Sequence, residues 1–445
     1  MGKKKEINKI VLISILALFL SFILYLAFSI RMGISPDSLY HLEVSREYST
    51  TLGIPENTPN TYEWRDITRI PYLFFWLNGR LLNLNSGFID EVILLRMVNV
   101  LFSLGTVYVT YLLSKEILKG KWERLLPVFL LANTLMFVFL SSSINYDNLA
   151  NLLSVLSIFY FVKFVKSKLD IKYLLWMVLF LCIGGLTKFT ILPLAFILVV
   201  LCLIEIFKKR ELIKEVKVNK YFLLILPILV LLFLNFQVYG VNILTYGSLE
   251  PDCEQILTHE QCLQNGVYYR DKITFPSIEV GGFQNIFEMI KNGDRIDPIS
   301  YFPKWIWNIT GKVFGIMADS SLEISDIAKS IYLFFLAIGL LIGITNFKKW
   351  NKVDRYLIVI VLFYLGVLFF LQNYNMYLKH NHFYLALQGR YIFPVITAMY
   401  ILFIKSVFFV RNKVVRNLLL ISLILLFLFG CIPTFFLNVE SWWFK

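Results

Sequence analysis

The chain has 445 residues, of which 58% are hydrophobic and only 16% charged, with a net charge of +13 and a mean hydropathy of +0.68. These values exclude an ordinary soluble globular protein, whose apolar runs are shorter and whose surface carries more charge. The basic excess suggests nucleic acid only if it forms a patch, so its distribution along the chain decides.

Ile10 to Ile30 is the first apolar run long enough to cross a bilayer as a helix. It follows Lys3, Lys4 and Lys5 as a signal sequence would, but it is longer than a signal core and no small-residue cleavage site follows. It is therefore read as a retained span. Further spans are expected at 91–113, 125–141, 145–162, 173–187, 189–207, 221–240, 328–346, 356–372, 391–409 and 418–437. The result is an all-α integral membrane protein with about eleven transmembrane helices, because these runs lack the polar alternation of a barrel strand. The connectors 1–9, 114–124, 163–172, 208–220, 347–355 and 405–416 hold most of the Lys and Arg, and all fall on one side. That is the positive-inside pattern, with the N-terminus in and the C-terminus out. The positive charge thus marks topology, and membrane lipids rather than nucleic acid are the expected surroundings.

Residues 1–445 read as a single polytopic domain whose two long connectors, 31–90 and 241–329, both face outward. In the first, Ser35-Pro36-Asp37 is a helix-start pattern, a capping serine followed by proline and an acid. Asp37, His41, Ser45 and Tyr48 then share one helical face. Trp64, Arg65, Arg69, Tyr72, Phe75, Trp76 and Arg80 mix aromatic and cationic side chains at helical spacing, which suits interfacial helices in the headgroup layer. The plainer alternative is a covering loop with interfacial anchors. In the second connector, Cys253 and Cys262 are expected to pair as a disulfide in an oxidising compartment, the alternative being two free thiols. His259 between them does not complete a zinc site. Lys304-Trp305-Ile306-Trp307 and the apolar stretch to Met317 read as interfacial or re-entrant, and Cys182, Cys202 and Cys431 as small apolar residues.

Ionisable residues at the ends of apolar runs need a reason. Asp37 lies just past the first span, Asp147 opens the fourth, Lys188 is the lone charge between Tyr173 and Glu205, and Arg390 opens the tenth after His380 and His382. On the topology above, all four reach the outer face. Each has a structural alternative: a helix-start acid for Asp37, a span cap for Asp147, a snorkelling lysine and a structurally paired arginine. The two histidines read more simply as solvated loop residues. Taken together, lysine and arginine at a low-dielectric surface suit phosphate, and a nearby carboxylate suits removal of a proton from an attacking hydroxyl. No nucleotide-binding glycine loop is present, so the pattern points to attack on a sugar carried by a lipid phosphate.

At these residues the chain resembles the GT-C superfamily of polytopic glycosyltransferases, in particular an uncharacterised bacterial and archaeal branch. The matching pieces are Pro36-Asp37-Ser38-Leu39-Tyr40-His41, Ser143-Ile144-Asn145-Tyr146-Asp147-Asn148, Gly185-Leu186-Thr187-Lys188-Phe189-Thr190 and Leu387-Gln388-Gly389-Arg390-Tyr391-Ile392-Phe393-Pro394, in that order over nearly the whole chain. The resemblance implies a GT-C-like fold and an inverting transfer from a polyprenyl-phosphate-linked sugar to an envelope glycan, lipid or protein. It implies Asp37 as catalytic base, Lys188 and Arg390 on the donor phosphate, and supporting places for His41, Asp147, Tyr391 and Arg69. Related chains often carry Asp-Glu where this one has Asp37-Ser38, so no obligatory metal and no cofactor are expected. The implied location is the cell membrane, with the site on the extracytoplasmic side. A transporter or flippase of lipid-linked saccharides and a non-catalytic envelope assembly subunit are the rival expectations.

Overall fold

The computed structural model describes residues 2–167, 169–208, 221–278, 280–317 and 321–445. Among these residues there are no β-strands, only the isolated bridges Ile30–Phe444 and Ile316–Leu322. The helices of the first half are α1 (Gly2–Ser29), α2 (Ser38–Thr50), α3 (Leu73–Asn85), α4 (Glu91–Ile117), α5 (Leu126–Ala132), α6 (Leu135–Ser141), α7 (Tyr146–Lys166), α8 (Ile171–Gly185) and α9 (Leu192–Lys208). The second half adds α10 (Phe222–Tyr246), α11 (Pro298–Phe314), α12 (Asp326–Thr345), α13 (Lys352–His380), α14 (Gly389–Val407) and α15 (Lys413–Asn438), besides a nine-residue helix, Phe283–Lys291, and shorter helical turns in the loops.

Among the described residues, nine helices are long and apolar enough to cross a membrane, and they coincide with nine of the expected spans. The segments 125–141 and 173–187 are apolar but shorter. The first divides into α5 and α6 because Asn133 and Thr134 turn back on the preceding carbonyls, Phe129 at 2.9 Å and Leu130 at 2.8 Å. Such side-chain bonds compete with continuation of the helix. The second, α8, runs for 15 residues and stops at Gly184-Gly185, a weak helix-forming pair. The basic connector at 209–220 and the side chains of Lys3, Lys4 and Lys5, all used for the expected orientation, lie outside the described residues.

Burial sorts the spans into centre and rim. Helix α7 runs between α4 and α8, and most of its side chains are buried. Helix α14 packs against α5, α7, α12 and α13 and is buried almost throughout. By contrast α10, α12 and α15 turn Leu223, Phe233, Leu341 and Leu418 outward, as expected where the surrounding medium is itself apolar. The two central helices begin at Tyr146 and Gly389, so their first turns deliver Asp147 and Arg390 to one end of the bundle.

The first long connector forms α2 and α3 side by side. Gly79 makes this contact, since an added Cβ there would lie 2.7 Å from the backbone carbon of Tyr48. Arg80 donates to the carbonyls of Tyr48 and Thr51, satisfying the end of α2. In the second connector Cys253 is disulfide-bonded to Cys262. That segment docks on the first connector through Gln261 to the Tyr62 hydroxyl at 2.9 Å and Asn265 to the Glu63 carbonyl at 2.7 Å.

Candidate active site

Helix α4 carries Arg96, Asn99, Ser103, Thr106 and Thr110 at alternating three- and four-residue steps, and all five are buried. Arg96 donates to the carbonyls of Ala27 at 2.6 Å and Ile30 at 2.8 Å, closing the C-terminal end of α1. The Asn99 side-chain oxygen accepts from the Asn145 backbone at 3.3 Å and from Asn148 at 3.0 Å, and Ser103 donates to Asn148 at 3.0 Å. Asn145 in turn donates to the Pro36 carbonyl at 3.0 Å. One polar stripe therefore ties the peptide before Asp37 to the start of α7, just before Asp147. The stripe is visible in the sequence as polar residues recurring on one face of an apolar span, a signal the ionisable residues alone did not reveal.

Asp37 is not a first-turn acid stabilised by the helix. It is the residue preceding α2, in the left-handed region at φ 55° and ψ 16°, and its carboxylate caps no backbone N–H. The side chain goes to Arg390 instead, which donates to Asp37 Oδ2 through Nη2. Lys188 donates to Asp147 Oδ1, and Arg390 Nε lies 3.5 Å from Asp147 Oδ2. The four residues thus form a chain of opposite charges, Asp37–Arg390–Asp147–Lys188. Their exposure differs: the Arg390, Asp147 and Lys188 side chains are 2%, 4% and 7% accessible, whereas Asp37 is 43% accessible. Asp37 is the exposed end of the chain of charges, and the other three are buried.

The cluster is incompletely satisfied. Arg390 Nε and Nη1 and Asp147 Oδ2 have no hydrogen-bond partner, although such groups are costly when buried alone. Tyrosine rings supply part of the surroundings. Lys188 Nζ lies 4.4 Å from the Tyr146 ring centre and 5.1 Å from that of Tyr391, and the Arg390 guanidinium lies 5.8 Å from Tyr391. His41 is fully buried one turn beyond Asp37, with its ring 4.4 Å from Tyr146 and 5.9 Å from Phe75. Neither of its ring nitrogens has a partner.

Electrostatics follow from this geometry. Desolvation pushes the Asp37 carboxyl up, but the Arg390 guanidinium leads the groups that overcome it and hold it at about 2. Burial takes Lys188 down to about 8, against the opposing pull of Asp147. Burial likewise takes His41 down to about 4, so its imidazole is neutral at physiological pH.

Gly389 is what brings Arg390 to this place. An added Cβ would lie 2.4 Å from the Lys312 backbone, so only glycine lets the start of α14 touch α11. Lys312 reinforces the contact by donating to the Leu387 carbonyl at 2.5 Å. Arg69 stands apart from the charge chain. Its amide donates to Asp66 at 2.9 Å and its carbonyl accepts from Asn242 at 3.1 Å, while its side chain makes no ion pair with a described residue. His380 bonds the Phe275 carbonyl at 2.6 Å and His382 packs on the Phe275 ring, both as loop contacts. Among the described residues no group of three or more His, Cys, Asp or Glu could hold a metal ion.

Comparison with solved structures finds ArnT from Cupriavidus metallidurans bound to undecaprenyl phosphate, 14% identical, with a TM-score of 0.48 over 91% of this chain and 62% of that one. The same protein in the apo state is 12% identical at a TM-score of 0.49, again over 91% and 62% of the two chains. The Archaeoglobus fulgidus oligosaccharyltransferase in its apo form is 15% identical at 0.49, covering 96% of this chain and 55% of that one. This chain therefore spans less than two thirds of the length of either relative. No curated protein matches it. Residues 70–235, which include the Asp147 and Lys188 motifs, match the family described as dolichyl-phosphate-mannose-protein mannosyltransferase. Over that segment the chain is similar to a family of polyprenyl-phosphate-dependent glycosyltransferases, in agreement with the GT-C resemblance of its four motifs.

Proposed function

We propose that this protein is an inverting glycosyltransferase moving one sugar from a polyprenyl-phosphate donor to an acceptor of the cell envelope. The observation that carries the reading is the meeting of Lys188 and Arg390, from distant parts of the chain, beside Asp37 and Asp147. Two of the Arg390 nitrogens there lack a hydrogen-bond partner. A lipid phosphate reaching the cluster supplies the missing acceptors, with oxygens matched to a guanidinium and an ammonium.

Phosphate binding also resolves the weakness of Asp37 as a base. In the resting protein the arginine holds the carboxylate at about 2, too acidic to take a hydroxyl proton readily. Once phosphate becomes the arginine's partner, Asp37 loses its counter-charge, and that change raises its proton affinity. The acceptor hydroxyl then attacks the anomeric carbon as its proton passes to Asp37. The carbon–oxygen bond to phosphate breaks, and the lipid phosphate departs with the electron pair, held by Lys188 and Arg390. One displacement inverts the anomeric centre. Asp147 holds Lys188 and Arg390 beside one another, and neutral His41 with Tyr146 and Tyr391 walls off water. The reaction faces the extracytoplasmic side, as the basic connectors imply.

Purified protein in lipid nanodiscs, supplied with a polyprenyl-phosphate hexose and envelope-membrane extract, tests the reading. Transfer with inverted anomeric configuration is expected, read by NMR of the product. Retained configuration would exclude single displacement. Transbilayer movement of the donor without transfer or hydrolysis would establish a flippase instead.

A further inference from the structure

The second long connector carries an apolar surface that the described residues leave uncovered. Its nine-residue helix, Phe283–Lys291, places Ile286, Phe287 and Ile290 on one side and Asn285 and Glu288 on the other, with Gln284 and Lys291 at the flank. Ile286 packs against the bundle, but Phe287 is 61% exposed. The exposure extends along the connector, to Ile278 before the helix and to Ile299 and Phe302 in the first turns of α11. Large apolar side chains gathered on one segment in this way mark a surface made for contact.

Both feet of the segment are fastened to the end of a membrane span. On one side the Ile278 amide donates to the Lys379 carbonyl at 3.0 Å, and His380 donates to the Phe275 carbonyl at 2.6 Å. On the other, Arg295 donates to the Leu378 carbonyl at 2.9 Å and the Ile296 amide to the Tyr377 hydroxyl at 3.1 Å. The Tyr374 hydroxyl donates to the Ile296 carbonyl at 2.9 Å. All these partners belong to the final turns of α13, where that span leaves the apolar layer. Leu371 precedes Tyr377 by about 9 Å at 1.5 Å per residue, and it and Phe370 are exposed on a helix that lipid surrounds. The tethers therefore keep the short helix at the level where acyl chains give way to headgroups.

From this placement we infer that Phe283–Lys291 is a membrane-surface helix, lying in the headgroup layer with Phe287 among the acyl chains and Glu288 toward water. Lipid is the partner because the bilayer is the one apolar body that the tethers to α13 guarantee beside Phe287. Between Phe283 and Lys304 the cations Lys291, Arg295 and Lys304 balance Glu288, Asp294 and Asp297, so apolar area rather than net charge drives the attachment. Lys291, at the flank, carries its ammonium on a long stem toward the headgroup phosphates. The inference does not depend on the proposed transfer reaction.

The test uses the full-length protein in phosphatidylcholine nanodiscs, with a nitroxide attached at Phe287→Cys or Glu288→Cys. The native thiols do not interfere, since Cys182, Cys202 and Cys431 are buried and Cys253 and Cys262 are paired. At position 287, collision with oxygen should exceed collision with a water-soluble nickel chelate severalfold, at a depth of about 5–10 Å into the interface. The order should reverse at 288. A bimane on the same two cysteines should be quenched by brominated phosphatidylcholine strongly at 287 and hardly at 288. Chelate access exceeding oxygen access at 287 would make the segment a water-exposed loop. Low access to both reagents would mean that protein, the same chain or a second copy, covers Phe287. Either result overturns the inference, as does equal quenching at the two positions.

Discussion

Buried charges occupy both ends of this helix bundle, and they are treated differently. At the far ends of α9 and α14, Asp354 accepts from Lys405 at 2.6 Å and 2.7 Å and closes a capping box with Asn351 at the start of α13. Glu205 accepts from Lys352 at 2.5 Å and from Tyr356. No atom of these carboxylates is left unpaired. Roughly 22 Å along α14, at 1.5 Å per residue, Arg390 belongs to a cluster with the same kinds of side chain and unpaired atoms on three residues, His41, Asp147 and Arg390. A fold able to satisfy Asp354 completely has no packing reason to leave Arg390 incomplete. The difference separates charges that hold helices together from charges kept ready for a ligand.

Substitutions on the two sides should diverge accordingly. The largest effect is expected from Asp37→Asn, which should lower transfer by a factor on the order of 10² to 10⁴, the range for loss of a general base. Thermal unfolding should hardly change, because the side chain is 43% accessible. Wild-type transfer by this variant would place the base elsewhere. At the opposite end, Asp354→Ala strands Lys405 and should cost about 3–5 kcal/mol of stability, read by chemical denaturation. The transfer rate per folded molecule should be retained. A selective loss of turnover there would erase the contrast between the two ends.

Smaller effects sharpen the division of labour inside the site. Lys188→Ala and Arg390→Ala should each weaken binding of undecaprenyl phosphate by about tenfold to a hundredfold, as expected for a charge-assisted bond, measured by titration in nanodiscs. The pH dependence is gentler. With Lys188 at about 8 in the free protein, the phosphate-binding form is protonated and is lost as pH rises through that value. Donor kcat/KM should therefore be level below pH 8 and fall above it, whereas kcat should hold to higher pH because bound phosphate keeps the lysine charged. Lys188→Arg should abolish the high-pH limb, since arginine stays protonated. A limb unchanged in that variant would assign it to another group.

The sequence shows its helical spans most clearly where they are long and apolar, because hydrophobic length is a local property that lipid thickness demands. It was less reliable at 125–141, where Asn133 and Thr134 divert hydrogen bonds, and at Ser35-Pro36-Asp37, where a helix-start pattern was captured by a remote arginine. The buried stripe from Arg96 to Thr110 was equally open to reading but carries no ionisable pair to attract notice.

Asp37, Asp147, Lys188 and Arg390 announced themselves as charges in apolar surroundings, since the cost of desolvating an ion is paid at each residue separately. Which carboxylate faces which cation was beyond that reasoning. It depends on Asn145 reaching the Pro36 carbonyl and on Gly389 admitting α14 to the backbone of α11. Those contacts join residues far apart in the chain, and pairings between distant residues exist only once the helices have packed.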